Sequence, residues 1–456
     1  MDDVSRVARA LAAHGFKPEA ASERAASFLQ CANTLDGVHA AARGRVQVWA
    51  PGRIEVFGKH TDYAGGRSLL TAVERGFSVS AAPRSDSRIR VIDPSNGNAC
   101  ETVLDLSASA PDGHWSNYVA TVARRIARNF PDARTGVDLA FVSDLPSAAG
   151  VSSSSALMIG VFAALARVNG LASTPNWRAS LSTLPELGGY MGAMENGLTY
   201  GALAGDSGVG TLGGSQDQTA IFCAERGHVV DFSWMPVRKL GSHMLPDSLR
   251  FVVASSGVVA AKSAGAREQY NRASLLVRQL LASWNASTSN VEHSLAAAMQ
   301  SRVDAPDRLR AIIAETGSDH FSVEALRNRL DQFLLETYTL IPAAADALDR
   351  RDWTLLGDVT AQSQRAAEEL LGNQVPETVA LVADAQALGA IAASAFGAGF
   401  GGSVWALVQD GDSDAFAHAW CDAYSRRFPE SAAHAMFFPT AAGPASVTWS
   451  DEEFDS

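Results

Sequence analysis

Leu145-Pro-Ser-Ala-Ala-Gly-Val-Ser-Ser-Ser-Ser-Ala156 is the stretch on which the reading of this chain turns. A loop of small residues opens directly into residues 156–166, almost wholly apolar, which suit a helix buried on most sides. Amides at a helix N-terminus have no intrahelical acceptor, and the helix dipole favours an anion there. Gly150 and the serines Ser152, Ser153 and Ser154 would therefore wrap a phosphate closely, and a serine hydroxyl in such a loop can also ligate Mg2+. The alternative is a merely well-capped helix, for which one serine suffices. The segment contains no GxxxxGK[ST], so it is not a Walker A loop.

Outward from this loop the pattern is β before α. Residues 137–142 read as the strand leading into it, preceded by Trp115, Val119, Val122, Ile126 and Phe130 at the three-to-four spacing of an amphipathic helix. Residues 46–49, 77–81 and 88–92 read as further strands, with a turn at Pro94-Ser-Asn-Gly97. The first 45 or so residues are alanine-rich with helical spacing (Val7, Leu11, Phe16) and predict a leading helix or two. Beyond about residue 240 the chain turns helix-rich, with patterns near 263–284, 323–350 and 353–371, then a glycine loop and a strand over 404–408. The expected division is 1–240 and 241–456, with the boundary near 235–245.

A chain of 456 residues has room for two or three domains. Its 47% hydrophobic and 19% charged residues are those of a globular protein and exclude a disordered one. Lys+Arg of 37 against Asp+Glu of 49 leaves a net charge of −12, which disfavours nucleic acid and anionic membranes as partners and favours small-molecule chemistry. Cys31, Cys100, Cys223 and Cys421 are too far apart for a CxxC pattern and read as reduced thiols. The N-terminus has no signal-peptide order, so a cytoplasmic location is expected, with no membrane association. Residues 387–408 carry no charge, but their clustered glycines argue for helix end, strand, glycine loop and strand rather than a membrane span.

Three more polar or glycine-rich segments stand out. Ala50-Pro-Gly-Arg-Ile-Glu-Val-Phe-Gly-Lys-His-Thr-Asp-Tyr-Ala-Gly-Gly66 packs Arg53, Glu55, Lys59, His60 and Asp62 between glycines, which calls for water or a polar ligand; a solvated loop is the plainer reading. Gly213-Gly-Ser-Gln-Asp-Gln218 sets Asp217 between amides, as a turn aspartate could also be. Gly397-Ala-Gly-Phe-Gly-Gly402 is tight enough for backbone to approach a ligand.

Taken together and in this order, the four segments resemble the GHMP small-molecule kinases, and galactokinases in particular, over about residues 45–410; residues 262–272 (KSAGAREQYNR) add a similar stretch. The resemblance implies an α+β fold of two lobes, an N-terminal mixed-sheet lobe with the phosphate loop and a C-terminal ferredoxin-like lobe of helices and sheet. It implies an ATP- and Mg2+-dependent sugar 1-kinase, with galactose the first expectation. A C6-carboxylate sugar (galacturonate) and a catalytically silent sugar sensor are the alternatives, and a monomer is favoured. By the same resemblance Asp217 is the catalytic carboxylate with Arg53 beside it, and Lys59, His60, Asp62 and Tyr270 bind the sugar. Gly150, Ser152, Ser153, Ser154, Trp115 and Gly399 hold ATP, and Ser154 and Glu195 the metal. Trp115 reads equally as a core tryptophan. Glu195 and Asp217 stand farther apart than galactokinases place them, with the glycine-rich run 201–214 between. Two residues depart from the family pattern: Glu55 replaces its asparagine, and Lys59 its glutamate. A lysine in the pocket would favour a sugar carboxylate, whereas a Glu55–Lys59 pair would leave galactose acceptable.

Overall fold

The strand Val46–Phe57 is buried along its whole length, so the Pro51-Gly-Arg53 motif lies inside a core element rather than in a loop beside one. In the computed structural model, residues 3–37, 44–111, 114–146, 150–258, 264–288, 291–450 and 453 are described. The strands in chain order are β1 (Val46–Phe57), β2 (Arg67–Pro83), β3 (Arg88–Asp93), β4 (Asn98–Val103), β5 (Val137–Ser143), β6 (His228–Ser233), β7 (Arg238–Met244), β8 (Leu249–Ser255), β9 (Ala392–Phe396), β10 (Ser403–Gln409), β11 (Met436–Thr440) and β12 (Val447–Ser450).

The first sheet runs β12-β1-β2-β5-β3-β4, with β6 paired to one end of β2 and β7 to β6. β3 and β5 pair in parallel and the other neighbours antiparallel, which makes it the mixed sheet expected. Strand alternation divides its faces. Cys31 and Leu35 of the leading helix Pro18–Asp36 pack on Ala82 and Ala140. The helix Ser153–Val168 packs on the opposite face, where its Gly160 leaves room for Val79.

The second sheet, β11-β8-β10-β9, is antiparallel throughout. One face packs Val252, Ala254, Val404 and Ala406 against the helices Pro376–Ala387 and Ser413–Arg427. The other turns Phe251, Val253, Trp405 and Leu407 into the same core as β1 and β2. The lobes are thus joined by continuous apolar packing. Helices Ala264–Ser287, Leu295–Gln300, Ala305–Thr316 and Val323–Leu335 carry a separate core around Leu280, Trp284, Leu309 and Phe333.

The chain passes from the first sheet to the second between Met244 and Leu249, and its last strand returns: β12 pairs with β1, Val46 opposite Ser450 and Trp49 opposite Val447. A cut at 240 falls inside β7. The uncharged run becomes the end of the helix Pro376–Ala387, then β9, a glycine turn and β10. Among the described residues no helix is long and apolar enough to cross a membrane. The four cysteines are free thiols.

β12 contributes Trp449, 2% exposed, to a cluster with Leu11, Phe28 and Trp49. Trp449→Ala should lower stability by about 3–5 kcal/mol in urea unfolding; a loss below about 1 kcal/mol would mean that the returning strand holds nothing in place.

Candidate active site

β1, the phosphate-loop helix and the glycine turn meet around a cavity of about 670 Å³. The Arg53 guanidinium in its wall is only 5% exposed and must therefore find acceptors inside the protein. Its Nε donates to Asp217 Oδ1 at 2.9 Å, its Nη2 lies 2.7 Å from the same oxygen, and its Nη1 donates to the Gly150 carbonyl. One side chain thus ties the carboxylate of the helix Gln216–Cys223 to the phosphate loop. Asp217 remains a third exposed toward the cavity, where it can meet a reactant.

Residues 147–149 of the 145–156 loop lie outside the described residues. From Gly150 onward the loop is left-handed at Gly150 (φ 74°) and Ser152 (φ 64°). Ser152 stands at the N-cap of the helix Ser153–Val168, yet its hydroxyl makes no capping bond and is buried without a partner among the described residues. A loop that merely capped its helix would have used that hydroxyl. The first intrahelical bond there runs from the Ala156 amide to the Ser152 carbonyl, so the three preceding amides have no acceptor within the helix. Ser152, Ser153 and Ser154 line the cavity, which makes this end a cradle for an anion. Gly399 (φ 82°) lines it from the facing turn, and a side chain there would run into Asn373.

Glu195 ends the helix Leu184–Glu195 and faces the same cavity. Its carboxyl accepts from Ser155 Oγ at 2.9 Å and from the Gln218 amide. Burial, and then the charge of Asp217, push its pKa up to about 7. Ser155 is thus the hydroxyl bonded to Glu195, one position beyond Ser154. Among the described residues no three His, Cys, Asp or Glu side chains cluster as a self-sufficient metal site. One carboxyl beside several hydroxyls is a hard-oxygen set that suits Mg2+ completed by phosphate oxygens.

The glycine-rich run between Glu195 and Asp217 is strapped down. The Asn196 side chain accepts from the Gly213 amide at 2.7 Å and donates to the Gly214 carbonyl at 3.0 Å, while Asn271 accepts from the Leu212 amide at 2.9 Å. The loop therefore bulges away and returns, and both carboxyls reach one cavity despite their separation in sequence. Trp115 is half-buried in the cavity wall, edge-on to Phe141 at 6.1 Å and beside His114 at 5.8 Å. It both borders the core and faces the ligand space.

At the other end lie His60, Asp62 and Tyr270. Asp62 accepts from the Gln216 amide at 3.1 Å, and burial pushes its pKa up to about 6. The Tyr270 hydroxyl is raised well above its ordinary value by burial, with the charges of Asp217 and Asp62 adding to it. Residues 262 and 263 of the neighbouring similar stretch lie outside the described residues.

Two of the residues expected to bind the sugar have their polar atoms engaged inside the protein. His60 lines the cavity, but both ring nitrogens already have partners: Nε2 lies 3.1 Å from the Ala398 carbonyl and Nδ1 2.8 Å from the Tyr63 hydroxyl. The carbonyl can only accept, so Nε2 carries the proton and Nδ1 accepts from Tyr63. Burial lowers the pKa of His60 to about 4, so the ring is neutral and pins the motif to the glycine turn. Lys59 is not in the cavity wall. It is 1% exposed, and its Nζ donates to Ser363 Oγ at 2.9 Å, which in turn donates to Glu336 at 2.8 Å. A buried ammonium needs such acceptors, and they come from helices about three hundred residues farther along the chain. Glu55 and Lys59 form no ion pair; Glu55 accepts instead from Gln216 Nε2 at 2.5 Å. With Lys59 turned away, the carboxylate-sugar alternative loses the cation on which it rested.

Not assigned to the site from the sequence are Ser155, Gln216, Gln218 and the β3–β4 turn, whose Asp93, Ser95 and Asn96 border the cavity. The two glutamines are the amides that flank Asp217, and the Pro94–Gly97 turn is legible as a turn, but nothing in its sequence places it beside the cavity.

Comparison with known proteins places three family models along the chain. "Galactokinase galactose-binding signature" matches residues 39–83, "GHMP kinases N terminal domain" residues 117–224, and "GHMP kinases C terminal" residues 344–426. A galactokinase of Chloroflexus aggregans is 28% identical over 89% of this chain and 94% of its own. One from Glaesserella parasuis is 39% identical over 25% of this chain and 30% of its own. The crystal structure of Lactococcus lactis galactokinase complexed with galactose superposes with a TM-score of 0.73 at 22% identity, over 91% of this chain and 98% of that one.

Lys59→Gln should cost about 1–3 kcal/mol of stability in denaturant titration while leaving ligand affinity within about twofold; a large change in affinity with stability intact would return Lys59 to the pocket. For Asp62, folding raises the carboxyl pKa from its usual 3.8 to about 6. Its contribution is fully favourable below about pH 4 and is lost as pH rises through about 6. Asp62→Asn should therefore stabilise the fold by about 1–3 kcal/mol at pH 8, with the gain vanishing near pH 4. Equal effects at both pH values would show that the buried charge is not what the site strains against.

Proposed function

We propose, from the premise that the chain belongs to the GHMP kinase family as an ATP-dependent sugar kinase, that it phosphorylates the C1 hydroxyl of galactose. The products are galactose 1-phosphate and ADP. The observation that carries this reading is the Arg53 guanidinium bonded both to Asp217 and to the Gly150 carbonyl on the wall of one cavity. A base for a hydroxyl and a cradle for a phosphate are held at a fixed separation by a single side chain.

In this reading Asp62 and Tyr270 orient the sugar, with His60 positioning the segment that carries Asp62. As the C1 oxygen bonds to the γ-phosphorus and the bond to the β–γ bridging oxygen breaks, Asp217 takes the hydroxyl proton. Arg53 stays beside it and stabilises the charge on the transferring group. The open amides at 153–155 hold phosphate oxygens, and Trp115 and Gly399 border the nucleotide. Ser154, with Ser155 behind it, and Glu195 would hold Mg2+, which when bound neutralises charge on the phosphates. Phosphoryl transfer depends mainly on such positioning and electrostatics.

Asp217→Asn should fold, bind both reactants, and lose about 10²–10⁴ in kcat with KM little changed. An ADP-release assay with galactose, backed by mass detection of the sugar phosphate, checks both points. Absence of ADP release with galactose, galacturonate, arabinose and fucose alike would leave only the sensor reading.

A further inference from the structure

We propose that Glu55 is a specificity residue of this site: its open Oε1 accepts a hydrogen bond from a hydroxyl of the sugar. The inference rests on the kinase reading above. Glu55 stands two residues after Arg53 on β1, and both border the cavity. Glu55 is 4% exposed. Its Oε2 is satisfied by Gln216 Nε2, while its Oε1 is buried and has no partner among the described residues. Leaving a buried carboxylate oxygen unpaired is costly, and the cost is relieved if a ligand brings the missing donor.

Among the described residues, the two cations nearest Glu55 are already engaged. Arg53 is committed to Asp217 and Gly150, and Lys59 is turned to Ser363. The remaining carboxylates at this end, Asp62 and Asp217, are of like charge. Burial raises the pKa of Glu55 to about 7 against the opposing pull of Arg53 and Lys59, so at pH 8 the group is mainly an ionised acceptor. A cavity end furnished in this way fits a neutral polyol that donates hydroxyls and repels a sugar acid.

The test is a matrix at pH 8 of wild type and Glu55→Gln against galactose and its 2-, 3-, 4- and 6-deoxy forms. In the variant the amide oxygen keeps the bond from Gln216, and an NH2 donor takes the place of the open acceptor. Galactose kcat/KM should fall about 10- to 100-fold, with the loss carried mainly by KM. One deoxy sugar, penalised at least tenfold by wild type, should lose that penalty in the variant. Equal penalties within threefold for all four deoxy sugars in both enzymes would overturn the proposal. If circular dichroism shows that Glu55→Gln does not fold, Glu55→Asn, whose shorter side chain withdraws from the cavity, takes its place in the same matrix under the same criteria. Wild-type enzyme that releases no ADP with galactose would sink the kinase reading itself; wild-type turnover with an unaltered deoxy pattern would sink only the role of Glu55.

Discussion

A guanidinium removed from water must have its donors satisfied, and much of this molecule is arranged around that demand at Arg53. The side chain leaves β1 and reaches the Asp217 carboxylate on one helix and a carbonyl at the mouth of another. Its charged carbon lies 5.6 Å from the Phe396 ring centroid, at the end of β9. Elements from both sheets therefore converge on one planar cation. The packing that makes this possible is apolar and continuous, because the inner face of the second sheet shares a core with β1 and β2. The geometry of the Arg53–Asp217 pair is fixed by the fold rather than by a flexible loop, which is what the proposed phosphoryl transfer would require.

Much of this was legible in the sequence because it is local. The apolar run after the serines, the alternation at 137–142 and the glycine interruption of residues 387–408 became the elements their periods imply. What was not legible is long-range. The partners of Lys59 are Ser363 and, through it, Glu336, and nothing near Lys59 announces them. Glu336 opens a π-helical turn, Glu336–Leu340, that joins two helices, and such turns commonly mark places where function or burial has bent the regular pattern. The two substitutions that set this chain apart from the family pattern thus have separate fates: one cation is absorbed into the interior, and one acid remains on the cavity wall.

The spacing of Glu195 and Asp217 teaches the same lesson from the other side. Their distance along the chain says little about their distance in space, because Asn196 and Asn271 close the intervening loop through its backbone. Asparagine suits this task because one amide both donates and accepts. A reading that counts residues between carboxylates sees a strained match, whereas hydrogen bonds at the ends of the loop remove the strain.

The pairing of β12 with β1 bears on how the protein is made. A ribosome delivers residues in order, so the strand that carries Arg53 emerges long before β12 and waits with one border uncovered until that partner arrives. Until then the nascent protein must be shielded from sticking to its neighbours. Closure of that border is in this way tied to the arrival of β12, and a product interrupted before Val447 would lack the staple.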